Sequence, residues 1–348
     1  MDRSKELTSP GQRRNASFSN GPYRVTGNPS QRHNTFAYSY NSMDALLKRQ
    51  APTSWEQFRA SPLRFLARLV YSPLPLPPLC QDNGVRVVCI SDTHNSHNLQ
   101  PPLPDGDILI HAGDLTNSGT RKELDDSLSW LESQPHAHKL FIAGNHDTCL
   151  ADPDIPYHIS STYPSLTYLQ ETSATVTIRN RTLRIYGSPY TPKHGSWVFQ
   201  YLRVSSQLYS PSKFSEHEST KIWSCVPLLT DILITHGPPL GHLDLDRTGC
   251  YALLTALWHL RPTLHVFGHI HAARGVEFVR WDRAQKAYEE VCAGRAGWSG
   301  FIRLAWWTVI AWFWRRPARE NAATIMVNAA SVGGFRNDQR KGAIAIEI

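Results

Sequence analysis

Short apolar runs, each ending in a cluster of polar residues, recur from residue 85 onward. They are Val85–Ile90, Asp107–His111, Lys139–Ala143, Asp231–Thr235 and Leu264–Phe267. Runs this short that are apolar at nearly every position are typical of strands buried on both faces. The pattern therefore predicts a sheet-containing core in which several strands end in chemically reactive side chains.

A helical spacing separates the second and third runs. Leu124, Leu128 and Leu131 recur at i, i+4 and i+7, which predicts a helix within residues 119–134. Weaker strand patterns cover residues 174–179, 182–186, 276–280, 324–327 and 343–348. Strands mixed with helices in this way indicate the α/β class.

The segment before the first run has a different composition. Residues 1–50 are rich in Ser, Asn, Arg, Gly and Pro and lack hydrophobic periodicity, so we expect them to be disordered. Trp55–Tyr71 is a short apolar and basic stretch, and the prolines of Ser72–Pro78 favour an extended linker. We therefore expect residues 1–82 to form a disordered tail and Pro-rich linker and residues 83–348 to form one domain.

The charge distribution argues against a long nucleic acid partner. The formal net charge is +7, but residues 1–50 hold eight Lys or Arg against three acidic residues. The predicted domain is therefore near neutral, whereas binding to long nucleic acids depends on basic surfaces. None of the six cysteines forms a CxxC pair, and no apolar segment follows the N-terminus. A cytoplasmic protein is expected.

The polar clusters at the strand ends share one set of donor groups. They contain Asp92 and His94, Asp114, Asn145 and His146, His236, and His269 and His271. In α/β folds, ligands bind beyond the carboxyl ends of the strands, so we expect all of these side chains to converge. Imidazoles, an amide and carboxylates match the ligands of two adjacent divalent metal ions, where one carboxylate bridges the pair.

The clusters resemble those of the calcineurin-like metallophosphoesterases, which carry D-x-H, G-D, G-N-H-[DE], H and G-H-x-H in this order. Here the motifs are Asp92-Thr93-His94, Gly113-Asp114, Gly144-Asn145-His146-Asp147, His236-Gly237 and Gly268-His269-Ile270-His271. The resemblance covers residues 84–348. It implies a four-layer α/β/β/α sandwich with two mixed sheets face to face and helices outside.

The resemblance also implies a role for each residue. One divalent metal ion would be bound by Asp92, His94 and His271, and a second by Asn145, His236 and His269. Asp114 would bridge the two ions. His146 would protonate the leaving group or bind the phosphoryl oxygens without binding metal. Mn, Fe, Zn and Mg all suit such a site, so the metal identity stays open.

A finer resemblance concerns the substrate, which we expect to be a small phosphoester. The N-x-A-x-x-G-G segment at residues 328–334, with a Trp-rich insert before it, resembles the metallophosphoesterase-domain-containing, class III phosphodiesterase-like subgroup. Gly113-Asp114 does not continue into the Asp-Arg-Gly of Ser/Thr protein phosphatases. These features favour a phosphodiesterase for small or cyclic nucleotide-type diesters. A phosphomonoesterase, a nuclease and a non-catalytic scaffold remain alternatives.

The Trp-rich insert, residues 296–319, allows two interpretations. Its apolar stretch is too short to cross a bilayer, and Arg315, Arg316 and Arg319 follow it. Tryptophans and arginines together are typical of helices that lie at a membrane surface. The alternative is a helix packed on the domain or in a dimer contact. The sequence leaves the choice, and the oligomeric state, open.

Overall fold

The computed structural model describes residues 53–71, 84–203, 218–245, 248–313, 323–333 and 339–348. Its helices are α1 Ser54–Ala60, α2 Pro62–Tyr71, α3 Arg121–Glu132, α4 Ile155–Thr162, α5 Glu218–Ser224, α6 Tyr251–Leu260, α7 Arg283–Cys292 and α8 Trp298–Phe313. Its strands are β1 Arg86–Ile90, β2 Ile108–His111, β3 His138–Phe141, β4 Leu166–Tyr168, β5 Thr172–Ile178, β6 Arg181–Ser188, β7 Thr191–Pro192, β8 Gln200–Tyr201, β9 Ile232–Thr235, β10 Leu264–Phe267, β11 Gly275–Arg280, β12 Ala323–Asn328, β13 Val332–Gly333, β14 Gln339–Arg340 and β15 Ile344–Glu347.

Two mixed sheets form the centre of the fold. The first has the order β15-β1-β2-β3-β4, and the second has the order β11-β12-β10-β9-β6-β5. In the first sheet β1 to β4 are parallel and β15 is antiparallel. In the second sheet β12, β10, β9 and β6 are parallel, with antiparallel β11 and β5 at the edges. The parallel strands in each sheet bring their carboxyl ends to one edge.

The alternation of side chains along the strands explains the layering. Val87 and Ile110 of the first sheet pack with Ile234 and Val266 of the second in one buried core between the sheets. Neighbouring residues point the opposite way, because successive side chains of a strand face opposite sides. These outward residues meet α3 on the first sheet and α6 on the second. The predicted α/β/β/α sandwich with two mixed sheets is thus confirmed.

The predicted helix at residues 119–134 is α3, which begins after Thr120. The Thr120 hydroxyl accepts a hydrogen bond from the backbone N–H of Glu123 and so caps the first turn. Leu124, Leu128 and Leu131 are all buried against the first sheet. The apolar spacing therefore predicted both the helix and its packed face.

Residues 54–71 depart from the tail and linker that the sequence predicts. Thr53 and Glu56 form a capping box at the start of α1. Ala67 of α2 packs in a cluster with Ala287 of α7 and Leu304 of α8. The correction has a physical reason, since a short apolar helix becomes stable when a partner covers it. Residues 1–52 and 72–83 lie outside the described residues, so the predicted disorder and extended linker there stay predictions.

The described part of the Trp-rich insert is the helix α8, with residues 314–319 outside the described ranges. One side of α8 packs on α7 and α2 through Phe301, Leu304 and Trp307. This contact matches the packed-helix interpretation for one face only. Among the described residues, no helix combines the length and apolar character that crossing a bilayer requires.

Candidate metal centre

All eight predicted site residues lie at the edge where the strands of both sheets end. Asp92, Asp114 and Asn145 follow β1, β2 and β3 of the first sheet. His236 and His269 follow β9 and β10 of the second sheet. His94, His146 and His271 come from the loops that continue these strand ends. The predicted convergence of the clusters is therefore present in the fold.

The first donor set consists of Asp92, His94 and His271. Nε2 of His94 lies 3.2 Å from Nε2 of His271, and Nε2 of His271 lies 3.3 Å from Oδ1 of Asp92. One donor atom from each residue falls within a group whose members are all within 4.8 Å of one another. Three donors at this separation can bind a single cation.

The second donor set consists of Asp114, His236 and His269, whose donor atoms also lie within 4.8 Å of one another. Asn145 joins it, because its Oδ1 is 3.0 Å from Nε2 of His236. The imidazole of His269 stands edge-on to that of His236, with ring centroids 5.0 Å apart. Two imidazoles, a carboxylate and an amide oxygen match the donors that borderline divalent ions accept.

Asp114 lies between the two sets. Its Oδ2 is 3.3 Å from Nε2 of His236 and 3.7 Å from Nε2 of His94. Its Oδ1 accepts a hydrogen bond of 2.8 Å from the backbone N–H of His146. Because one carboxylate oxygen faces an imidazole of each set, Asp114 has the position of a bridging ligand.

Two of the imidazoles are oriented as metal ligands are. Nδ1 of His94 lies 3.3 Å from the carbonyl oxygen of Thr116, and Nδ1 of His236 lies 2.9 Å from that of Ala112. A carbonyl oxygen can only accept, so each Nδ1 carries a hydrogen and each Nε2 faces the other donors of the site. Such backbone contacts orient histidine ligands in metal proteins. The side chains present thus fit a pair of divalent metal ions.

The backbone is strained at several of these positions. Asp92, His94, Asp114 and His269 have positive φ angles of 55°, 42°, 54° and 68°. A left-handed conformation costs about 1–2 kcal/mol for each residue with a Cβ atom, and strain of this kind concentrates at functional sites. These left-handed turns end the strands and direct the donor side chains inward.

Glycines allow the loops at the strand ends to approach one another closely. A Cβ atom on Gly144 would collide with the carboxylate of Asp114, and one on Gly268 would collide with the carboxylate of Asp92. These contacts explain why the motifs place glycine directly before Asn145 and His269. An alanine at either position would push a donor carboxylate out of place.

Burial and charge set the pKa values of the site. Burial alone would raise the pKa of both Asp92 and Asp114, but His271 and His236 respectively hold each carboxyl well below its usual range. Burial lowers the pKa of His269 to about 3. Burial also acts to lower the pKa of His236, but the adjacent Asp114 carboxylate raises it to about 9. The carboxylates are therefore ionised at neutral pH.

Residues around the site behave as structural supports. Asp147 accepts hydrogen bonds from the backbone N–H groups of Thr116 and Gly144 and so ties two strand-end loops together. Nδ2 of Asn328 donates to the carbonyl oxygens of Leu243 and Ile270. Asp147 and Asn328 thus orient the loops around the site.

Two further side chains at the site lie outside every motif. The indole of Trp197 lies 4.4 Å from the imidazole of His146, centroid to centroid, and is 41% exposed. The imidazole of His194 lies 4.5 Å from that of His269. Both residues belong to a loop before β8, so only the folded chain brings them to the metal centre. A tryptophan two residues after Gly195 was the one available signal in the sequence.

A model of the calcineurin-like phosphoesterase family matches residues 85–273, which contain every residue of both donor sets. The chain belongs to the calcineurin-like phosphoesterase family. The family establishes a metallophosphoesterase domain, and the two donor sets are its candidate metal ligands. α7 and α8 lie beyond the matched residues.

Three relatives show how far the similarity extends. A protein of Emericella nidulans named as a probable rhamnogalacturonate lyase C is 45% identical over 319 residues, which is 88% of this chain and 29% of that protein. Human metallophosphoesterase domain-containing protein 1 is 38% identical over 229 residues, 58% of this chain and 64% of its own length. A UPF0046 protein of Caenorhabditis elegans is 36% identical over 216 residues, 58% of this chain and 68% of its own. The chain thus spans less than two thirds of the first two relatives.

Proposed function

We propose that the protein is a two-metal phosphodiesterase that hydrolyses small or cyclic nucleotide-type diesters. The observation that carries this proposal is the position of Asp114 between two donor sets, with one oxygen near an imidazole of each. Such an arrangement supports a pair of ions rather than one. Divalent ions held there supply Lewis-acid activation of the phosphoryl group and of the attacking water.

His146 is the proposed proton donor. Its Nδ1 lies 2.8 Å from the carbonyl oxygen of Asn117 and therefore carries the hydrogen. Its ring stands edge-on to that of His94, with centroids 4.7 Å apart, so the imidazole lies beside the first donor set. An imidazole oriented in this way can transfer a proton to the oxygen of the departing group.

Two features support a diester of nucleotide type. The motif segment Gly113–Ser118 contains no arginine that would grip the second charge of a monoester. Trp197 presents a partly exposed aromatic face directly beside His146, where a base could stack.

The reaction would take place in a reducing compartment such as the cytoplasm, since the described cysteines are all free thiols.

The proposal is tested by comparing bis-p-nitrophenyl phosphate with p-nitrophenyl phosphate as substrates. We expect Mn²⁺-supplemented protein to hydrolyse the diester with a kcat/KM at least about tenfold higher, and EDTA to abolish the reaction. Release of p-nitrophenolate measures both rates. Hydrolysis of the monoester alone would indicate a phosphatase, and turnover of neither with any of Mn, Fe, Zn or Mg would indicate a scaffold.

Replacing Trp197 with alanine should weaken the binding of nucleotide substrates specifically. We expect KM for thymidine 5′-(p-nitrophenyl phosphate) to rise about ten- to hundredfold, since stacking on an aromatic side chain contributes about 1–3 kcal/mol per base. KM for methyl p-nitrophenyl phosphate should change less than about twofold. Trp197→Phe is the matched control and should restore most of the nucleotide binding. Equal KM changes for both substrates would show that Trp197 only supports His146.

A further inference from the structure

One side of α8 carries a row of large apolar side chains that are open to solvent. Trp298, Ile302, Trp306 and Val309 are 59%, 67%, 63% and 51% exposed. Their spacings of four, four and three residues place them on a single face of the helix. We call these four residues the outer face of α8.

The opposite side of the same helix is already occupied. Leu304 is fully buried among Ala67, Ala284 and Ala287 of α2 and α7. α8 is therefore apolar on two sides, and only the side with Leu304 is covered by other helices. A helix that is apolar all round is normally buried, and a contiguous exposed apolar patch marks an interaction surface.

The charges of the helices that pack together with α8 indicate the partner. α8 holds no acidic residue, and α1, α2, α7 and α8 together hold six basic residues against three acidic ones, with Arg303 of α8 paired with Glu290 of α7. The basic residues are Arg59, Arg64, Arg68, Arg283, Lys286 and Arg303, and the acidic ones are Glu56, Glu289 and Glu290. A second copy of this chain would bring like charges together, and α8 offers no opposite charges to fix a helix pairing. An anionic surface complements the arginines.

Tryptophan further favours a lipid surface. Two of the four outer-face residues are tryptophans, and this side chain is enriched where the hydrocarbon of a bilayer meets water. The 16 residues of α8 span about 24 Å at 1.5 Å per residue, less than the roughly 30 Å of a hydrocarbon core. The helix therefore suits binding parallel to the membrane surface.

We propose that the outer face of α8 binds the surface of membranes that contain anionic lipids. The tryptophans and Ile302 enter the headgroup region, and the net positive charge of α1, α2, α7 and α8 attracts the lipid phosphates. α8 follows the metal centre in the chain and contributes none of its donors. The membrane contact is thus independent of the proposed hydrolysis.

Sedimentation of the full-length protein with vesicles tests this proposal. Vesicles of phosphatidylcholine that contain about 30 mol% phosphatidylserine are compared with vesicles of phosphatidylcholine alone. We expect the wild type to pellet with the anionic vesicles and less with the neutral ones. The double variant Ile302→Glu/Trp306→Glu should lower the partition coefficient at least about tenfold. The reason is that it places charge on the apolar surface that would be buried in the membrane.

The matched control is Leu228→Glu/Leu229→Glu, which changes two leucines that are 71% and 67% exposed elsewhere on the surface. This control should pellet like the wild type. Thermal unfolding followed by circular dichroism checks that both double variants are folded. The proposal would be overturned if the wild-type protein did not pellet with anionic vesicles, or if both double variants pelleted equally. A wild-type dimer that only Ile302→Glu/Trp306→Glu dissociates, without a change in pelleting, would instead assign the face to a second copy.

Discussion

Asp114→Asn is expected to lower kcat for diester hydrolysis at least about 1000-fold. The substitution keeps the size of the side chain but removes the charge that two imidazoles face, at 3.3 Å from His236 and 3.7 Å from His94. Both ions of the proposed pair would lose a ligand at once. A loss of 1000-fold corresponds to about 4 kcal/mol of transition-state stabilisation, which is within the contribution expected of metal ions in such sites.

The measurement combines steady-state hydrolysis of bis-p-nitrophenyl phosphate with the metal content of the purified protein. Wild-type protein should retain about two ions per chain, as expected of a two-metal site, and the variant fewer. Asp126→Asn provides the matched control, because Asp126 is a surface carboxylate paired with Lys122 on α3. It should leave both rate and metal content unchanged. An Asp114→Asn variant that binds metal fully and retains more than about a third of the activity would contradict the bridging role.

His242→Ala is expected to lower the free energy of unfolding by about 3–5 kcal/mol, because it leaves the buried carboxylate of Glu289 and the partly exposed one of Glu277 without their cation. His242 is fully buried between two glutamates, with Nδ1 3.1 Å from Oε1 of Glu277 and Nε2 3.1 Å from Oε1 of Glu289. Nε1–H of Trp258 also donates to Glu289 across 2.7 Å. Removing the imidazole breaks a connection between the loop after His236, β11 and α7.

Urea unfolding of the wild type and the variant measures this loss. Lys122→Ala is the control, since its ion pair with Asp126 lies on the surface and should contribute little. Burial alone would lower the pKa of His242, but Glu277 and Glu289 raise it to about 10, above the ordinary value of 6.5. The stabilisation is therefore complete below pH 6.5 and is lost as pH rises through about 10. A stability difference that does not shrink over this range would show that His242 contributes packing and not charge.

Local patterns in the sequence predicted most of the fold and the edge at which the candidate donor residues converge. Each apolar run is a buried strand, and each motif follows directly after one, so strand ends and donors could be placed together. The left-handed turns at Asp92 and Asp114 explain why the donors need special loops rather than regular strand positions. Those turns could not be derived from the periodicity of the apolar residues.

Features that depend on distant contacts were not predictable. α2 becomes stable because α7 and α8 cover Ala67, and the sequence around residues 54–71 alone indicates only an apolar, basic stretch. Trp197 lies beside His146 in the fold, although the two residues are 51 positions apart in the sequence. His242 pairs with glutamates 35 and 47 residues away. The pattern of residues within a short window of sequence cannot predict pairs that are this far apart.

Each donor set contains residues that follow strands of both sheets, so its assembly depends on the order in which the chain is synthesised. Asp92 and His94 belong to the first sheet, but His271, which completes their set, stands 177 residues after His94. In the other set, Asn145 meets His236 across 91 residues and then needs His269. On a translating ribosome, the second set cannot close before residue 269, and the first before residue 271, has left the exit tunnel. Closure of the donor sets is thus a late event in synthesis, which comes after β1 to β10 have emerged but can precede the emergence of β11 to β15.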